Sequence, residues 1–487
     1  MVEKEKLEVP QKYFDLLPEP IKYISDDNEL IQLRNSLLWL FYLYDLSKEE
    51  REKIIQTLLK TDYLTTLNLY KDFDPLGIFL YFQPGYEKIV LSVKKILKRI
   101  NQYKITHPGL IVTSLYSVWV QPYTLNENEY KLLVEIIRNP KGSFREWSKK
   151  TNISLATVKY AFDRLKKKLF LRIWAQINFN AIKLRHFFVY AERIRSNELK
   201  NMIKNAFLKT PWCRSVWWFA SHPQTLFTSL TIPSYTRCYN VFLNSIKVLE
   251  DITPVEIYEI REIFLSYNLT AYDPKNGWNF PSSSWNMFSF SKVPEDYLEY
   301  LKEVSPVHRI SYTRLHNFNF SKKDLHIIAC LSRDFRIKST LLSQISGYSL
   351  STISKKKKDF VEKGVIYPLP HIGNIGLHST LALLWKGEIE DLEYLTYTAT
   401  ELPYIIGYRM KKVYPTTGDF LLLFVWLPGT GSWDFIHNFS ELGKEVGLQK
   451  VFYEYKGTSS FTIDRFIHYW DEEKKIWKWN KDGLLFF

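Results

Sequence analysis

Basic side chains crowd two short stretches of this chain: Lys159, Arg164, Lys166, Lys167, Lys168 and Arg172 in one, Lys355, Lys356, Lys358 and Lys363 in the other. Ammonium and guanidinium groups set this close together suit one task, the neutralisation of successive phosphates along a polyanion. Thr157, Tyr160, Ser351 and Thr352 stand among them, and their hydroxyls can reach base edges in a groove. The chain of 487 residues has 66 Lys and Arg against 52 Asp and Glu, a formal net charge of +14. Residues 124–172 hold 12 basic and 5 acidic side chains, and residues 320–366 hold 10 and 4. These two windows carry +13 of the +14. An excess kept only for solubility would be spread out. Two solvated helical faces would look the same, so charge alone leaves the question even.

Other chemistry is thinly represented. The chain has no P-loop, no G-x-G-x-x-G, no H-E-x-x-H and no C-x-x-C. His371 and His378 flank a Gly-rich turn and read as exposed loop residues rather than metal ligands. Glu127 and Glu129 fall at a helix start, where carboxylates favour the helix dipole. Cys213, Cys238 and Cys330 are too widely spaced for a zinc pair and too few for a disulfide framework. The expectation is a non-enzyme with no cofactor and no metal, reduced, cytoplasmic and nucleoid-associated. The first residues lack the apolar core of a signal peptide. The apolar stretch Leu37–Leu43 is far short of the roughly 20 residues that span a bilayer, so no membrane partner is expected. At 46% hydrophobic and 16% aromatic, the composition excludes a disordered chain.

The elements that would carry the basic residues repeat. Residues 125–171 align without a gap on residues 320–366 at an offset of 195, with Ser154 on Ser349, Thr157 on Thr352, Val158 on Ile353 and Leu165 on Phe360. Leu132, Leu133, Ile136 and Ile137 form the stripe of a buried helix face. A short helix follows around Phe144 to Lys150, then a tight turn, then a helix capped by Ser154. In that helix Val158, Phe162 and Leu165 point to a core, while Ala156, Tyr160, Asp163 and Lys167 lie opposite. In the second copy Gly347 turns the chain and Ser349 caps; Ile353 and Phe360 face inward, and Ser351, Lys355 and Lys358 outward. Each copy reads as three helices and a wing, the plan of a helix-turn-helix that enters a major groove.

The second copy, with Asp324, Ser349, Thr352 and Gly364-Val365-Ile366 as its most typical positions, resembles the winged helix of the leucine-responsive/asparagine-type (Lrp/AsnC) transcription regulators. That resemblance implies a ferredoxin-like βαββαβ sensor domain after each winged helix. Suitable patterns follow both copies, at 186–263 and 379–455. Thr417-Gly418-Asp419-Phe420 resembles the sensor motif of the family, which makes Gly418 and Asp419 candidate effector-binding residues; the first copy has His222-Pro223-Gln224 there. The implied fold class is α+β: two winged helix-turn-helix domains, each followed by a ferredoxin-like sensor-type domain, plus an N-terminal α+β region. The boundaries are 1–122 for the N-terminal region, a candidate degenerate sensor-like unit; 123–182 and 319–376 for the winged helices; 183–270 and 377–460 for the sensor domains; 271–318 for a linker; and 461–487 for a tail. Three features depart from the family: the duplication in one chain, Asp163 on the outward face, and Lys357 at a phase where an apolar residue belongs.

The resemblance implies a protein that binds double-stranded DNA, a transcription regulator or nucleoid-associated protein. An alternative is a factor that uses the same helices on RNA, the ribosome or RNA polymerase. A minor alternative is an enzyme similar to the sirohaem decarboxylases, with Trp217, Trp218, Tyr408, Tyr414, Arg214 and Arg409 lining a propionate cleft. In the family the sensor sheets of two subunits pair, so here the two sensor-like units are expected to pair within the chain as a pseudo-twofold dimer.

Overall fold

The computed structural model describes residues 11–23, 28–47, 49–51, 86–104, 125–169, 171–219, 221–275, 277–278, 296, 299–300, 307–312, 319–372, 375, 377–428, 447–453, 455–460 and 463–479. They divide into two units, one of residues 1–123, 162–171 and 372–375, the other of the rest. The first begins with a helical turn at Gln11–Leu16, followed by helices Glu19–Lys22 (α1), Asn28–Asp45 (α2) and Tyr86–Gln102 (α3). Val90, Val93, Leu97 and Ile100 are buried along one face of α3, with Leu37, Leu40 and Phe41 buried on α2. The strands expected at 77–82 and 111–120, and most of the helix expected at 48–60, lie outside the described residues.

Next come helices Glu127–Arg138 (α4), Phe144–Thr151 (α5) and Leu155–Leu169 (α6), then strand Arg172–Ile177 (β1). Capping sets these boundaries. Asn126 accepts from the Glu129 N–H while the Glu129 carboxylate accepts from the Asn126 N–H, and Ser143 and Glu146 repeat that box. Asn152 ends α5 at φ 56°, a left-handed conformation that asparagine tolerates. The next set is Leu184–Ala191 (β2), Asn197–Lys209 (α7), Cys213–Phe219 (β3), His222–Pro233 (β4), Thr236–Lys247 (α8) and Val255–Tyr267 (β5). Two short strands, Tyr272–Asp273 (β6) and Gly277–Trp278 (β7), pair with each other, and His308–Ser311 (β8) pairs with β5.

Helices Lys322–Arg333 (α9), Ser339–Ser346 (α10) and Leu350–Glu362 (α11) precede strand Ile366–His371 (β9). Ser321 and Asp324 form the capping box of α9, and Gly347 ends α10 at φ 70°. Both features fall 195 residues after their counterparts at Asn126 and Asn152. Then follow Leu377–Lys386 (β10), Ile389–Thr398 (α12), Tyr404–Tyr414 (β11), Gly418–Pro428 (β12), Leu448–Tyr453 (β13) and Tyr455–Ser460 (β14), and the short pair Trp470–Asp471 (β15) and Ile476–Trp477 (β16). The helix expected at 432–446 lies outside the described residues.

The main sheet is antiparallel, in the order β13-β10-β12-β11-β5-β2-β4-β3-β14, with β8 also on β5. Within β2–β5, and again within β10–β13, the strands run 4-1-3-2 in space. The fourth strand of the first set, β5, pairs with the second strand of the other, β11; likewise β14, the continuation of β13, pairs with β3. Because one residue separates β13 from β14, residues 448–460 join the two ends of the order and the sheet closes on itself. The two sets are thus joined edge to edge in one sheet. Aromatic rings fill the inside: Phe188 lies 5.2 Å from Trp217 and 4.9 Å from Tyr408, and Phe219 lies 5.0 Å from Phe452. These are centroid distances at which rings attract.

Three expectations need correction. There is no wing hairpin within a copy among the described residues: β1 pairs antiparallel with β9, from Arg172 opposite His371 to Ile177 opposite Ile366. Each copy has a single strand there, and the backbone groups of each find their partners on the other. The segment 271–318 is not wholly linker, because β8 adds to the sheet with Ile310 buried and Arg309 bound to Glu262 at 2.7 Å and 2.8 Å. The segment 461–487 is not a free tail: Ile463, Phe466, Ile467, Trp470 and Trp477 are buried, and Phe466 packs 5.4 Å from Trp212.

Candidate nucleic-acid interface

Local chemistry places the basic helices. Ser154 Oγ accepts from the Thr157 N–H at 3.2 Å, and Ser349 Oγ accepts from the Thr352 N–H at 3.2 Å, so α6 and α11 begin in the same way. Val158, Phe162 and Leu165 are buried on α6, as Ile353 and Phe360 are on α11. The opposite faces are open. On α6, Lys159, Tyr160, Asp163 and Lys167 are exposed, and Thr157, Arg164 and Lys166 are half-buried, with the Lys166 ammonium over the Phe162 ring. On and just beyond α11, Ser351, Lys355, Lys358 and Lys363 are exposed and Thr352 is half-buried. The side chain of Lys168 lies outside the described residues.

Two of the expected phosphate contacts are engaged elsewhere. Lys356 Nζ lies 2.6 Å from Asp324 Oδ1, and the Asp324 side chain is only 3% exposed. The ammonium supplies the counter-charge for a carboxylate already committed to capping α9. Arg172 is the first residue of β1 and is half-buried opposite His371; burial lowers its pKa. His371 is itself no exposed loop residue, since it ends β9, and burial, then the charge of Arg172, push its pKa down to about 4. Among the described residues no group of three or more His, Cys, Asp or Glu is placed to hold a metal.

Sequence reasoning missed a residue between the copies. Lys357, half-buried on α11, lays its ammonium 4.1 Å from the Phe335 ring centroid and donates to the Phe335 carbonyl oxygen. The Phe335 N–H in turn donates to Ile173 O on β1 at 2.7 Å, and Arg336 stacks 4.3 Å from the Trp147 ring of the first copy. Lys357 thus fills an inward phase with its aliphatic stem. Its unexpected phase was the available signal.

The other candidates are dispersed. Gly418 and Asp419 open β12; next to them Thr416 and Thr417 line a cleft of ≈ 150 Å³ with Glu256, Lys386, Lys412 and Lys450. Lys412 is bound to Glu256, and Lys450 to Glu192. Of the residues named for a propionate cleft, Trp217 and Tyr408 pack into the aromatic interior, Arg409 binds Glu393, and Tyr414 bonds to Glu250 at the edge of β11. Arg214 lies against the Phe179 ring within electrostatic reach of Tyr408, and Trp218 lies under Lys200 and Lys204; Arg214, Trp217 and Tyr408 come near one another, while Trp218, Arg409 and Tyr414 lie elsewhere.

No protein-family model matches the chain, and no curated protein matches it. Two solved structures do: the sirohaem decarboxylase NirDL in complex with an iron-uroporphyrin III analogue, and the sirohaem decarboxylase NirDL. Each has 12% sequence identity and a TM-score of 0.38, covering 70% of this chain and 96% or 97% of the other. A likeness of that degree says nothing about what this chain does. The chain is a mixed α+β protein built on an antiparallel sheet, and among the described residues no helix is long and apolar enough to cross a membrane.

Proposed function

We propose that this chain binds double-stranded DNA as a duplicated Lrp/AsnC-like protein, with two helix-turn-helix units that share one cross-copy strand pair, each followed by a ferredoxin-like sheet. The observation that carries this reading is the pair of matching, capped helices whose outward faces hold Lys159, Tyr160 and Lys167 in one copy and Ser351, Lys355 and Lys358 in the other. These faces lie in the windows that hold nearly all of the excess charge. The repeated caps and the 4-1-3-2 order in both strand sets support the duplication. The lysines would meet phosphates, while Thr157, Tyr160, Ser351 and Thr352 would face the groove.

The test is competition of labelled duplex DNA against duplex RNA of the same length for the full chain. Displacement by DNA at lower concentration supports the reading. Preferential displacement by RNA would assign the same helices to A-form recognition of shape and 2′-OH groups, and absence of binding to either would overturn a nucleic-acid role.

A further inference from the structure

A cleft caps the interior of the closed sheet at one end. Glu256 is the second residue of β5, Lys386 the last of β10 and Lys450 the third of β13, and Lys412 stands two residues before the end of β11. With Thr416 and Thr417 they line the cleft of ≈ 150 Å³. Tyr258, opposite Phe188 in the ladder, and Phe420 line it too, their rings edge to face at 5.1 Å. Gly418 and Asp419 are not among the lining residues. Three ammonium groups therefore meet one carboxylate on this surface. Two of the three are engaged. Lys412 binds Glu256 and lies 5.7 Å from the Phe420 ring centroid, while Lys450 binds Glu192 and donates to the Tyr190 hydroxyl at 3.2 Å. Lys386 is exposed and has no ion-pair partner among the described residues. Its backbone is fixed: the Lys386 N–H donates to Gly447 O at 3.0 Å, and a Cβ on Gly447, which has φ 83°, would collide with Lys386 O. Only glycine lets β13 begin this close. The two pairs cancel, and Lys386 is left as surplus positive charge.

We propose that this cleft binds the phosphate group of a small phosphate monoester, with Lys386 as its principal cation. An ammonium is a compact point charge with three donors, which suits a tetrahedral anion. A planar carboxylate is better matched by a guanidinium fork, and no arginine among the described residues lines the cleft. The exposed Thr416 and Thr417 hydroxyls add neutral donors beside the lysine. Lys412 and Lys450 each have donors to spare beyond their carboxylates. Tyr258 and Phe420 supply an apolar wall for the rest of the molecule. Ligand sites at the mouths of closed sheets combine such a wall with a few polar groups. The site stands on observations separate from the DNA-binding reading, and either can fail without the other.

The experiment is calorimetric titration of the full chain, in phosphate-free buffer at constant ionic strength, with glycerol 3-phosphate, inorganic phosphate and acetate. Both phosphates should bind at one site per chain, and acetate far more weakly. Lys386→Met should raise the Kd for both phosphates about tenfold, the loss of one charged hydrogen bond. The unfolding temperature of the unliganded protein and its affinity for duplex DNA should not change. No binding of either phosphate, acetate binding as tightly as phosphate, exclusion of the ester where inorganic phosphate binds, or an unchanged Kd in Lys386→Met would each overturn the proposal. A matching loss of DNA affinity in Lys386→Met would assign the lysine to the DNA backbone and overturn it as well.

Discussion

Gly407 on β11 lies opposite Phe264 on β5, and the Phe264 ring occupies the space that a side chain at 407 would need. A Cβ there would stand 1.9 Å from Phe264 Cζ. This pair sits on the seam where the two strand sets join, and the same ring packs with Leu381, Ile405 and Leu423 in the core below β10–β12. Gly407→Ala must therefore expel Phe264 or part the strands. We expect a loss of ~2–3 kcal/mol in denaturant unfolding, with much of it recovered in Gly407→Ala combined with Phe264→Leu. An additive double variant would show that the ring and the glycine are independent.

Short-range order was legible in the sequence because its causes are local. The caps at Ser154 and Ser349, the turn at Gly347 and the inward stripe of α6 follow from residue type and a 3.6-residue period. The joins were not legible. Nothing local in Arg172–Ile177 names Ile366–His371 as its partner, and nothing in Tyr455–Ser460 names β3. Strand pairing across 189 or more residues is decided by which edge remains unpaired once the local elements have formed. The site was legible in outline, as two basic faces. Which lysines are free to act was not, because Lys356 and Lys357 are spent on a buried carboxylate and a backbone carbonyl.

That distinction separates stability from binding along four consecutive lysines. Lys356→Ala leaves Asp324 buried without its cation, and breaking such a pair costs ~3–5 kcal/mol. Lys355→Ala removes an exposed side chain and should change stability by less than ~0.5 kcal/mol. We expect thermal unfolding to rank Lys356→Ala well below Lys355→Ala, and DNA affinity at equal folded fraction to rank them in the reverse order.

Lys357 gives a pH dependence. Burial, then the charge of Arg336, lowers its pKa from 10.5 to about 8, against an opposing pull from Asp334. The folded state therefore disfavours the ammonium, and between about pH 8 and 10.5 the unfolded chain holds the extra proton. Stability from this group rises with pH across that window. Relative to Lys357→Met, the wild type should gain ~1–3 kcal/mol between pH 7.5 and 10 in denaturant unfolding. A difference that stays constant with pH would place the ammonium in water.

The two basic faces are unequal, and salt should expose it. If about six exposed or half-exposed lysines each release one counter-ion, the slope of log K against log salt is roughly −5 for B-DNA. The α6 face carries an exposed carboxylate, Asp163, between Lys159 and Lys167. Asp163 repels phosphate wherever it does not accept from a cytosine amino group. The α11 face presents Ser351, Lys355 and Lys358 without an acid among them, although Lys358 lies 3.7 Å from Glu362 in an exposed pair worth little. Lys355→Ala with Lys358→Ala should weaken binding more than Lys159→Ala with Lys167→Ala, each flattening the slope by about 2. Asp163→Asn should tighten binding to a mixed sequence and weaken it at a site that presents cytosine to that residue. Equal losses from the two lysine pairs, together with no effect of Asp163→Asn, would show that the carboxylate faces away from the duplex.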